Sequence, residues 1–467
     1  MIVMKFGGTS NRDAGAMSNV IRIIQQCANR SPVVVISAIA EATNMLERAA
    51  ALASEGKVLE SRDIIATLFA RHTAIADRII RQPDRRAALE RIMHAFNEEL
   101  QELVSGVGIL RELTPRTLDQ FCAFGELLSS RLVAAGLEEA GTPAQWLDTR
   151  EFLVTDENHG AALPMMDIVE QRLQALARPL VDRSIVPVTQ GFIGVTPSGH
   201  RSTMGRESSD FSASIIGAAL RCEEIQIWTD VDGILTGDPR LVEAPRKIDE
   251  LSFGEAFELA VLGAKVLHPN TMLPAIERSI PVRILNSGNP SGSGTLVTCW
   301  GKAAEPAVKS VTYKRDAVLM SVAPRRRQGQ YVFWDHVHSI LSRHGITTTI
   351  SNTLEHRLSL VTGSGARLAP VIHALGEIAE VEMMEHRGVV SLVGSGIMET
   401  PRFADRVFPL LAGCHVSMVC TGPSKASMSI VMDDAGVPDA VRRFHSEFFG
   451  VSGGHLIAEA VRPAHEN

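Results

Sequence analysis

A lysine followed by two glycines near the start of the chain has the composition of an anion-binding loop. Lys5 lies near the end of an apolar run, and Gly7 and Gly8 follow it. Paired glycines after a strand allow backbone N–H groups to approach an anion, and a lysine there can hold a phosphate as a point charge. The lysine precedes the glycines, so this is not a P-loop. A plain β-turn with a surface lysine is the alternative interpretation.

A polar turn before an apolar helix is the second candidate. Arg206, Ser209 and Asp210 lie just before the helix predicted at 211–220. The guanidinium fork of Arg206 fits a carboxylate, and a helix N-terminus favours an anion. Asp210 could bind an ammonium group or orient the phosphate-binding lysines. The alternative is that Ser209 or Asp210 simply caps the helix.

An acidic loop that follows a predicted buried strand is the third candidate. Thr229 and Asp230 come at the end of that strand, and Asp238 and Arg240 lie a few residues further on. Open α/β sheets bind their ligands at the carboxyl ends of the strands. Acidic residues there could hold Mg²⁺ or a ribose.

The segment 263–269 supplies a second lysine. Lys265 lies just past a predicted helix end, where it could bind phosphate or act only as a partner of the helix dipole. We expect His268 to be a structural hydrogen-bonding residue rather than a base. No Ser-His-Asp or Cys-His arrangement in the sequence has useful spacing.

Taken together, these four segments describe one site. Phosphoryl transfer requires positioning and neutralisation of charge more than covalent help from the protein. Two lysines, an Arg-Ser-Asp turn, a glycine loop and an acidic loop supply both. The sequence therefore predicts phosphoryl transfer.

The elements that must position these residues follow an α/β pattern. A strand at 2–6, a helix at 14–30 and a strand at 32–36 form a βαβ unit, which is typical of a parallel sheet. Residues 44–140 predict several helices, with breaks at 82–84 and around 106–115. The elements predicted after residue 184 are strands at 185–188, 225–228 and 282–285, helices at 211–220 and 252–262, and a closing loop at 288–294.

The last third of the chain contains an internal repeat of roughly 70 residues. Each copy predicts the order strand, helix, strand, strand. The first copy has strands at 317–322, 346–350 and 358–361 and a helix at 332–344; the second has strands at 389–393, 416–420 and 427–431 and a helix at 402–412. Paired α+β modules of this kind usually form sensing or pairing surfaces for small molecules.

The composition argues against several classes of protein. The 467 residues carry 46 Lys and Arg against 53 Asp and Glu, a net charge of −7, which gives no support for nucleic-acid binding. No run of about 18 apolar residues occurs, so we expect no membrane span and a cytoplasmic location. The six cysteines form no CxxC pair, and we expect reduced core thiols.

With these motifs in order along nearly the whole chain, the sequence resembles aspartate kinase, a family within the amino-acid kinases. The matching motifs are Lys5–Ser10, Ser37-Ala38 with Thr43-Asn44, Phe124–Ser129, Gly205–Ser212, Trp228–Ile234, Asp238–Arg240 and Gly263–Pro269. The resemblance implies an amino-acid kinase fold, with a parallel-rich sheet between helices, followed by two ferredoxin-like α+β ACT domains. It places the catalytic domain at 1–300, a linker at 301–309, a first ACT module at 310–385, completed by 450–467, and a second at 386–449.

The resemblance also implies an activity. The γ-phosphate of ATP passes to the side-chain carboxylate of L-aspartate and gives 4-phospho-L-aspartate, the first step toward lysine, threonine and methionine. Lys5, Asp210 and Lys265 would be catalytic. The substrate-binding residues would be Ser37, Thr43, Glu126, Arg206 and Ser209. The ATP-binding residues would be Lys5, Gly7, Gly8, Thr229, Asp230, Asp238, Arg240, Lys265 and Val266.

The remaining expectations concern cofactors and partners. Mg²⁺ would be held mainly by the ATP phosphates and water, with no protein side chain assigned as a ligand. No general base is needed, because a carboxylate is already ionised at pH 7. The family suggests a homodimer formed through ACT domains, and allosteric lysine or threonine as an effector, although Thr349 replaces the acidic residue that would bind an effector amine.

Three further positions differ from the family. Ser208 and Glu41 stand where glycine is usual, and Leu235 stands where tyrosine is common. A glycine at position 208 would tolerate a positive φ that Ser208 resists. These differences keep two alternatives open: an amino-acid sensor with little or no catalysis, or a kinase for another carboxylate substrate.

Overall fold

The computed structural model describes residues 1–205, 208–264, 269–301, 307–326, 329–354, 357–363, 368–422 and 425–450. They form two compact units. One unit contains residues 1–234 and 270–299, and the other contains residues 235–269 and the chain from Trp300 onward.

The strands and helices are numbered in chain order. The strands are β1 (Ile2–Phe6), β2 (Pro32–Ile36), β3 (Ala144–Trp146), β4 (Val186–Gln190), β5 (Ile193–Val195), β6 (Arg201–Thr203), β7 (Glu224–Thr229), β8 (Glu250–Ser252), β9 (Val282–Asn286), β10 (Thr295–Thr298), β11 (Ser310–Pro324), β12 (Thr348–Leu354), β13 (Arg357–Gly363), β14 (Ala379–Val393), β15 (Val416–Thr421) and β16 (Ser427–Asp433). The helices are α1 (Ala14–Gln26), α2 (Ala42–Ser54), α3 (Val58–Ile79), α4 (Pro83–Leu110), α5 (Pro115–Glu139), α6 (Met166–Leu176), α7 (Arg178–Asp182), α8 (Ser209–Leu220), α9 (Phe253–Val261), α10 (Leu273–Glu277), α11 (Gln330–Arg343), α12 (Leu368–Ile378), α13 (Phe403–Val407) and α14 (Val437–Phe449).

The first unit is built on a parallel-rich sheet. Its strands lie in the order β3-β4-β2-β1-β7-β9-β10, and only β10 runs antiparallel to its neighbour. The strands β1, β2 and β4 are almost entirely buried, as expected for apolar runs covered by helices on both faces. The predicted βαβ start of the chain is confirmed. The carboxyl ends of β1, β2, β4 and β7 meet at one edge, where the candidate residues follow them.

Helices α2 to α5 form a layer of the same core. The predicted break at 82–84 is confirmed, because α3 ends at Ile79 and α4 begins at Pro83. The break predicted around 106–115 starts too early, since α4 continues to Leu110. A Cβ on Gly108 would lie 2.4 Å from Val58 Cγ2, so this glycine serves close helix packing rather than helix termination.

The second unit contains the repeat as one antiparallel sheet. The six strands lie in the order β12-β13-β11-β14-β16-β15, with the long strands β11 and β14 paired at the centre. Each half has its own core: α11 and α12 pack on one half of the sheet, and α13 and α14 pack on the other. The predicted fold class, including paired α+β modules, is confirmed.

Several element boundaries differ from the prediction. Helix α1 ends at Gln26 and is followed by a 3-10 helix at Ala28–Arg30. The helix predicted at 402–412 is short, because α13 ends at Val407 and a 3-10 helix, Phe408–Leu411, contains Pro409. The strand predicted at 346–350 begins at Thr348 and continues to Leu354.

Two further expectations concern the linker and the cysteines. Residues 302–306 of the predicted linker and residues 451–467 lie outside the described part of the chain. All six cysteines are free, but Cys299 is exposed, and only Cys122 and Cys222 are buried, so the expectation of core thiols was wrong for most of them. In the ranges that the structure describes, no helix is both long and apolar enough to cross a membrane.

Candidate active site

Lys5 and Asp210 form an ion pair at the edge where the parallel strands end. Lys5 is the next-to-last residue of β1, and Asp210 lies in the first turn of α8. The distance from Lys5 Nζ to Asp210 Oδ1 is 2.6 Å, and the two side chains are only 12% and 15% exposed. The fold therefore brings two of the three predicted catalytic residues into direct contact from distant parts of the sequence.

The glycine loop after β1 packs tightly against the loop after β2. A Cβ on Gly8 would lie 2.9 Å from the carbonyl oxygen of Ala38, so only glycine fits without a shift of the backbone. The Gly8 carbonyl accepts a hydrogen bond from the Ala40 N–H at 3.1 Å. The Gly7 N–H donates to the Trp228 carbonyl at 3.1 Å, so it is already engaged with the neighbouring strand. Close packing of loops thus accounts for Gly8, whereas a Cβ on Gly7 would come no closer than 3.6 Å to a neighbouring atom.

Helix α5 contacts and supports the segment after β2, residues 37–44. The Ser129 hydroxyl donates to the Ser37 carbonyl at 2.8 Å, and the Ala38 N–H donates to Glu126 Oε1 at 3.1 Å. A Cβ on Gly125 would lie 3.8 Å from Thr43 Oγ1, which places Thr43 beside the same helix. The predicted substrate residues Ser37, Thr43 and Glu126 therefore converge.

Glu126 is a buried acid with an unused oxygen. Its residue is 3% exposed, and Oε2 has no hydrogen-bond partner among the residues that the structure describes. Burial raises the pKa of Glu126 to about 8, although the Ala38 N–H and the charge of Lys5 act in the opposite direction. A carboxylate in this environment is stabilised by a cationic ligand.

The two positions where the family usually has glycine differ in backbone conformation. Glu41 has a φ of 69°, in the left-handed region, whereas Ser208 has a φ of −81°. The expectation that Ser208 resists a required positive φ was therefore wrong. The strained residue is Glu41, whose carboxylate accepts a hydrogen bond from Asn44 Nδ2 at 2.9 Å.

The remaining predicted substrate residues lie near the start of α8. Ser209 is buried against Gly191, where a Cβ on the glycine would come within 2.6 Å of Ser209 Cβ. The predicted residues Arg206, Lys265 and Val266 lie outside the described residues.

The predicted nucleotide residues fall in both units. Thr229 ends β7 in the first unit, and its hydroxyl donates to Asp230 Oδ1 at 3.2 Å. Asp238 and Arg240 belong to the second unit. There the guanidinium of Arg240 donates two hydrogen bonds to the Asp238 carboxylate, from Nε to Oδ1 at 3.0 Å and from Nη2 to Oδ2 at 2.6 Å. This pairing lowers the pKa of Asp238 to about 2.

Two residues near the candidate site were missed by the sequence analysis. Arg71 on α3 donates from Nη2 to the Ala40 carbonyl at 2.9 Å, and Tyr313 on β11 donates from its hydroxyl to Asp238 Oδ2 at 2.9 Å. In the sequence, Arg71 looks like any other cation on a charged helix, so nothing there predicted its contact with Ala40. Tyr313 is one of only two tyrosines in the chain, which was the one available hint.

The site offers no protein cage for a metal ion in the described ranges. No group of three or more His, Cys, Asp or Glu side chains is placed to hold a metal there.

Comparison with known families gives matches over both parts of the chain. A profile described as amino acid kinase family matches residues 1–286, and a profile described as ACT domain matches residues 390–448. Aspartokinase 1, chloroplastic, of Arabidopsis thaliana is 34% identical over 99% of this chain and 82% of its own length. Lysine-sensitive aspartokinase 3 of Escherichia coli is 31% identical over 96% of this chain and 99% of its own.

Solved structures of aspartokinases also match nearly the whole chain. The structure of Escherichia coli aspartokinase III in complex with aspartate and ADP, in its R-state, matches with a TM-score of 0.82 and 32% identity. The match covers 96% of this chain and 100% of that one. The same enzyme in complex with lysine and aspartate, in its T-state, matches with a TM-score of 0.79 and 31% identity over 96% of this chain and 99% of that one.

Proposed function

The chain belongs to the aspartokinases of the amino acid kinase family, and from that membership we propose that the Lys5–Asp210 pair is the catalytic centre of its first unit. The reaction transfers the γ-phosphate of ATP to the side-chain carboxylate of L-aspartate. One carboxylate oxygen attacks the γ-phosphorus, the bond to the β,γ-bridging oxygen breaks, and ADP leaves. The products are ADP and 4-phospho-L-aspartate.

The ion pair is the observation that supports this assignment. Negative charge must be compensated on the transferring phosphoryl group and on the leaving ADP. Lys5 would supply an ammonium at a fixed position, and Asp210 would orient it through the 2.6 Å contact. Lys265 is proposed to serve the nucleotide phosphates. No proton has to be removed from the attacking carboxylate, because it is ionised at neutral pH.

The aspartate pocket is proposed to consist of Ser37, Thr43, Glu126, Arg206 and Ser209. The buried Oε2 of Glu126, which has no hydrogen-bond partner among the described residues, would receive the α-ammonium of the substrate. Arg206 would bind the α-carboxylate through its guanidinium fork. Recognition of both α-groups leaves the side-chain carboxylate free to react.

The nucleotide contacts are proposed for Gly7, Gly8, Thr229, Asp230, Asp238, Arg240 and Val266, in addition to the two lysines. Gly7 and Gly8 would allow close approach of the backbone. Arg240 would meet phosphate oxygens with a guanidinium already fixed by Asp238. Mg²⁺ bound together with ATP would offset phosphate charge, held mainly by phosphates and water, and no side chain of this chain is assigned as its ligand.

Regulation and assembly are proposed in the same way. The catalytic domain would span 1–300 and the two ACT modules 310–385 and 386–449, with a homodimer formed through the ACT domains. Lysine or threonine would be the effector; the Escherichia coli relative was crystallised with lysine in its T-state. In this chain Lys314 Nζ donates to Thr349 Oγ1 at 2.7 Å, so an ammonium-bearing effector would meet a cation there. We also propose a cytoplasmic location, which suits free cysteines and an ATP-dependent reaction.

A coupled assay of ADP release tests the substrate assignment. Turnover should be seen with L-aspartate and be far lower with L-glutamate or N-acetylglutamate, because the pocket must hold a dicarboxylate of one length. Faster turnover with either of the longer substrates, or binding of lysine or threonine without any phosphorylation of aspartate, would overturn the assignment.

A further inference from the structure

The first residues of β11 contact both ends of the segment that carries the proposed nucleotide residues of the second unit. At one end, the Val311 N–H donates to the Thr236 carbonyl at 2.9 Å. At the other end, a Cβ on Gly263 would lie 2.3 Å from the Tyr313 carbonyl oxygen, so only glycine can pass so close to this strand. The segment from 236 to 263 is therefore held at both ends by β11, the first strand of the six-stranded sheet, which we call the ACT sheet.

Tyr313 adds a side-chain contact at the point where chemistry is proposed. Its hydroxyl donates to Asp238 Oδ2 at 2.9 Å, and the same oxygen accepts from Arg240 Nη2 at 2.6 Å. The Asp238 side chain is 19% exposed, whereas that of Arg240 is 80% exposed. Asp238 is thus held between a tyrosine of the ACT sheet and an arginine that faces solvent.

Holding an exposed guanidinium in place lowers the entropic cost of binding an anion. A free arginine loses rotamer entropy when it binds an anion, and a guanidinium held in place before binding loses less. The Asp238 carboxylate sets the direction of the Arg240 fork. Its Oδ1 accepts a hydrogen bond from the Arg240 backbone N–H at 2.9 Å, and its Oδ2 accepts one from the Tyr313 hydroxyl. Without the hydroxyl, Oδ2 would lose its only partner outside Arg240 among the described residues, and the fork would be held less firmly.

We infer that Tyr313, on the first strand of the ACT sheet, is a positioning residue for nucleotide binding, acting through Asp238 on Arg240. This inference rests on the proposed role of Arg240 as a ligand of the ATP phosphates. Its consequence is that an element of the regulatory module supports part of the nucleotide subsite directly. The residues proposed for the aspartate subsite do not include Asp238 or Arg240, so the two substrates are expected to respond differently to a change of Tyr313.

Tyr313→Phe in the full-length enzyme is the primary test, because it removes one hydroxyl and keeps the ring. The KM for ATP should rise about three- to tenfold, which corresponds to the usual net contribution of one hydrogen bond. The KM for aspartate and kcat at saturating ATP should stay within about twofold. Tyr331→Phe is the matched control, since Tyr331 is the other tyrosine and is 79% exposed; it should leave all three constants unchanged.

A phenol titration monitored by ultraviolet absorbance checks the contact itself. Burial and the neighbouring Asp238 carboxylate raise the pKa of Tyr313 above its ordinary value. The parent should therefore show a phenol ionisation above the ordinary pKa of tyrosine, and Tyr313→Phe should lose it. A merely structural loss of packing would change thermal stability and both KM values, without the selective effect on ATP.

Arg240→Ala separates failure of the inference from failure of the proposed function. If Arg240→Ala raises the KM for ATP and Tyr313→Phe does not, the positioning role is wrong and the nucleotide role of Arg240 stands. If Arg240→Ala leaves ATP binding unchanged, the nucleotide role itself is wrong. Asp238→Asn gives an independent reading should Tyr313→Phe fold poorly: it should raise the KM for ATP selectively, and an unchanged value would contradict the inference.

Discussion

The Glu126 carboxylate accepts a hydrogen bond from the Ala38 N–H at 3.1 Å and keeps its second oxygen buried. This contact links α5 to the segment that follows β2, so the acid that we propose as a ligand of the substrate also holds that segment in place. Burial raises the pKa of Glu126 to about 8. In the absence of substrate, the group is thus mostly protonated at neutral pH.

The raised pKa predicts that aspartate binding depends on pH. A substrate ammonium binds the ionised form of Glu126, so below pH 8 binding must release a proton from this carboxyl. The KM for aspartate should therefore rise as the pH falls from 8 to 6, by up to about tenfold per unit. Calorimetry at pH 7 in buffers of different ionisation enthalpy should detect the released proton.

Glu126→Gln is the control for this pH effect. The amide cannot titrate, so the variant should have a higher KM for aspartate at pH 8 and a flatter pH profile between 6 and 8. An unaltered profile in Glu126→Gln would assign the titration to another group.

Glu41→Gly should stabilise the protein against denaturation by urea. Glu41 has a φ of 69°, which costs a residue with a side chain about 1 kcal/mol relative to glycine. Loss of the hydrogen bond to Asn44 offsets only part of that cost, because both side chains are exposed. A net gain of about 0.5 kcal/mol in the free energy of unfolding is therefore expected. Ser208→Gly is the matched control: with a φ of −81° it should give no gain. Equal effects of the two substitutions would refute the strain at Glu41.

Thr349→Asp should make the enzyme more responsive to lysine. The carboxylate would neutralise Lys314, whose Nζ now donates to the Thr349 hydroxyl and whose pKa is lowered by burial. Because the new carboxylate would remove the repulsion between Lys314 and an effector ammonium, lysine binding is expected to tighten roughly tenfold, within the usual range of such couplings. Thr349→Asn has nearly the same size without the charge. If titration calorimetry finds the same affinity for both variants, the effector does not bind next to Thr349.

Much of the fold could be predicted because local patterns and the rules of parallel sheets agree. The apolar run at Ile2–Phe6 must be buried on both faces, and its loop must then meet the loops of neighbouring strands at one edge. That argument brought Lys5 close to the start of α8, although no spacing rule connects them. The break around 106–115 was placed too early, because a glycine that terminates a helix and one that packs on a neighbouring helix, as Gly108 does on Val58, look alike in one sequence.

The supporting contacts could not be predicted from the sequence. Arg71 donates to the backbone carbonyl of Ala40. Because every residue has a backbone carbonyl, the type of residue at position 40 could not identify it as the partner. Tyr313 binds an aspartate 75 positions earlier in the chain, and their distance depends on how β11 packs against the turn at Asp238. Both contacts arise from tertiary packing, which single-sequence patterns do not contain.

The activity of Lys5→Ala tests the central claim most directly, because the 2.6 Å pair of Lys5 with Asp210 carries the assignment of the catalytic centre. We predict that kcat with saturating ATP and aspartate falls about 100-fold or more, as charge on the transferring phosphoryl group is no longer compensated. Lys57→Ala, which removes a lysine that pairs with Glu55 at the surface, should leave kcat unchanged. A folded Lys5→Ala enzyme whose kcat stays within a few-fold of the parent would contradict the account.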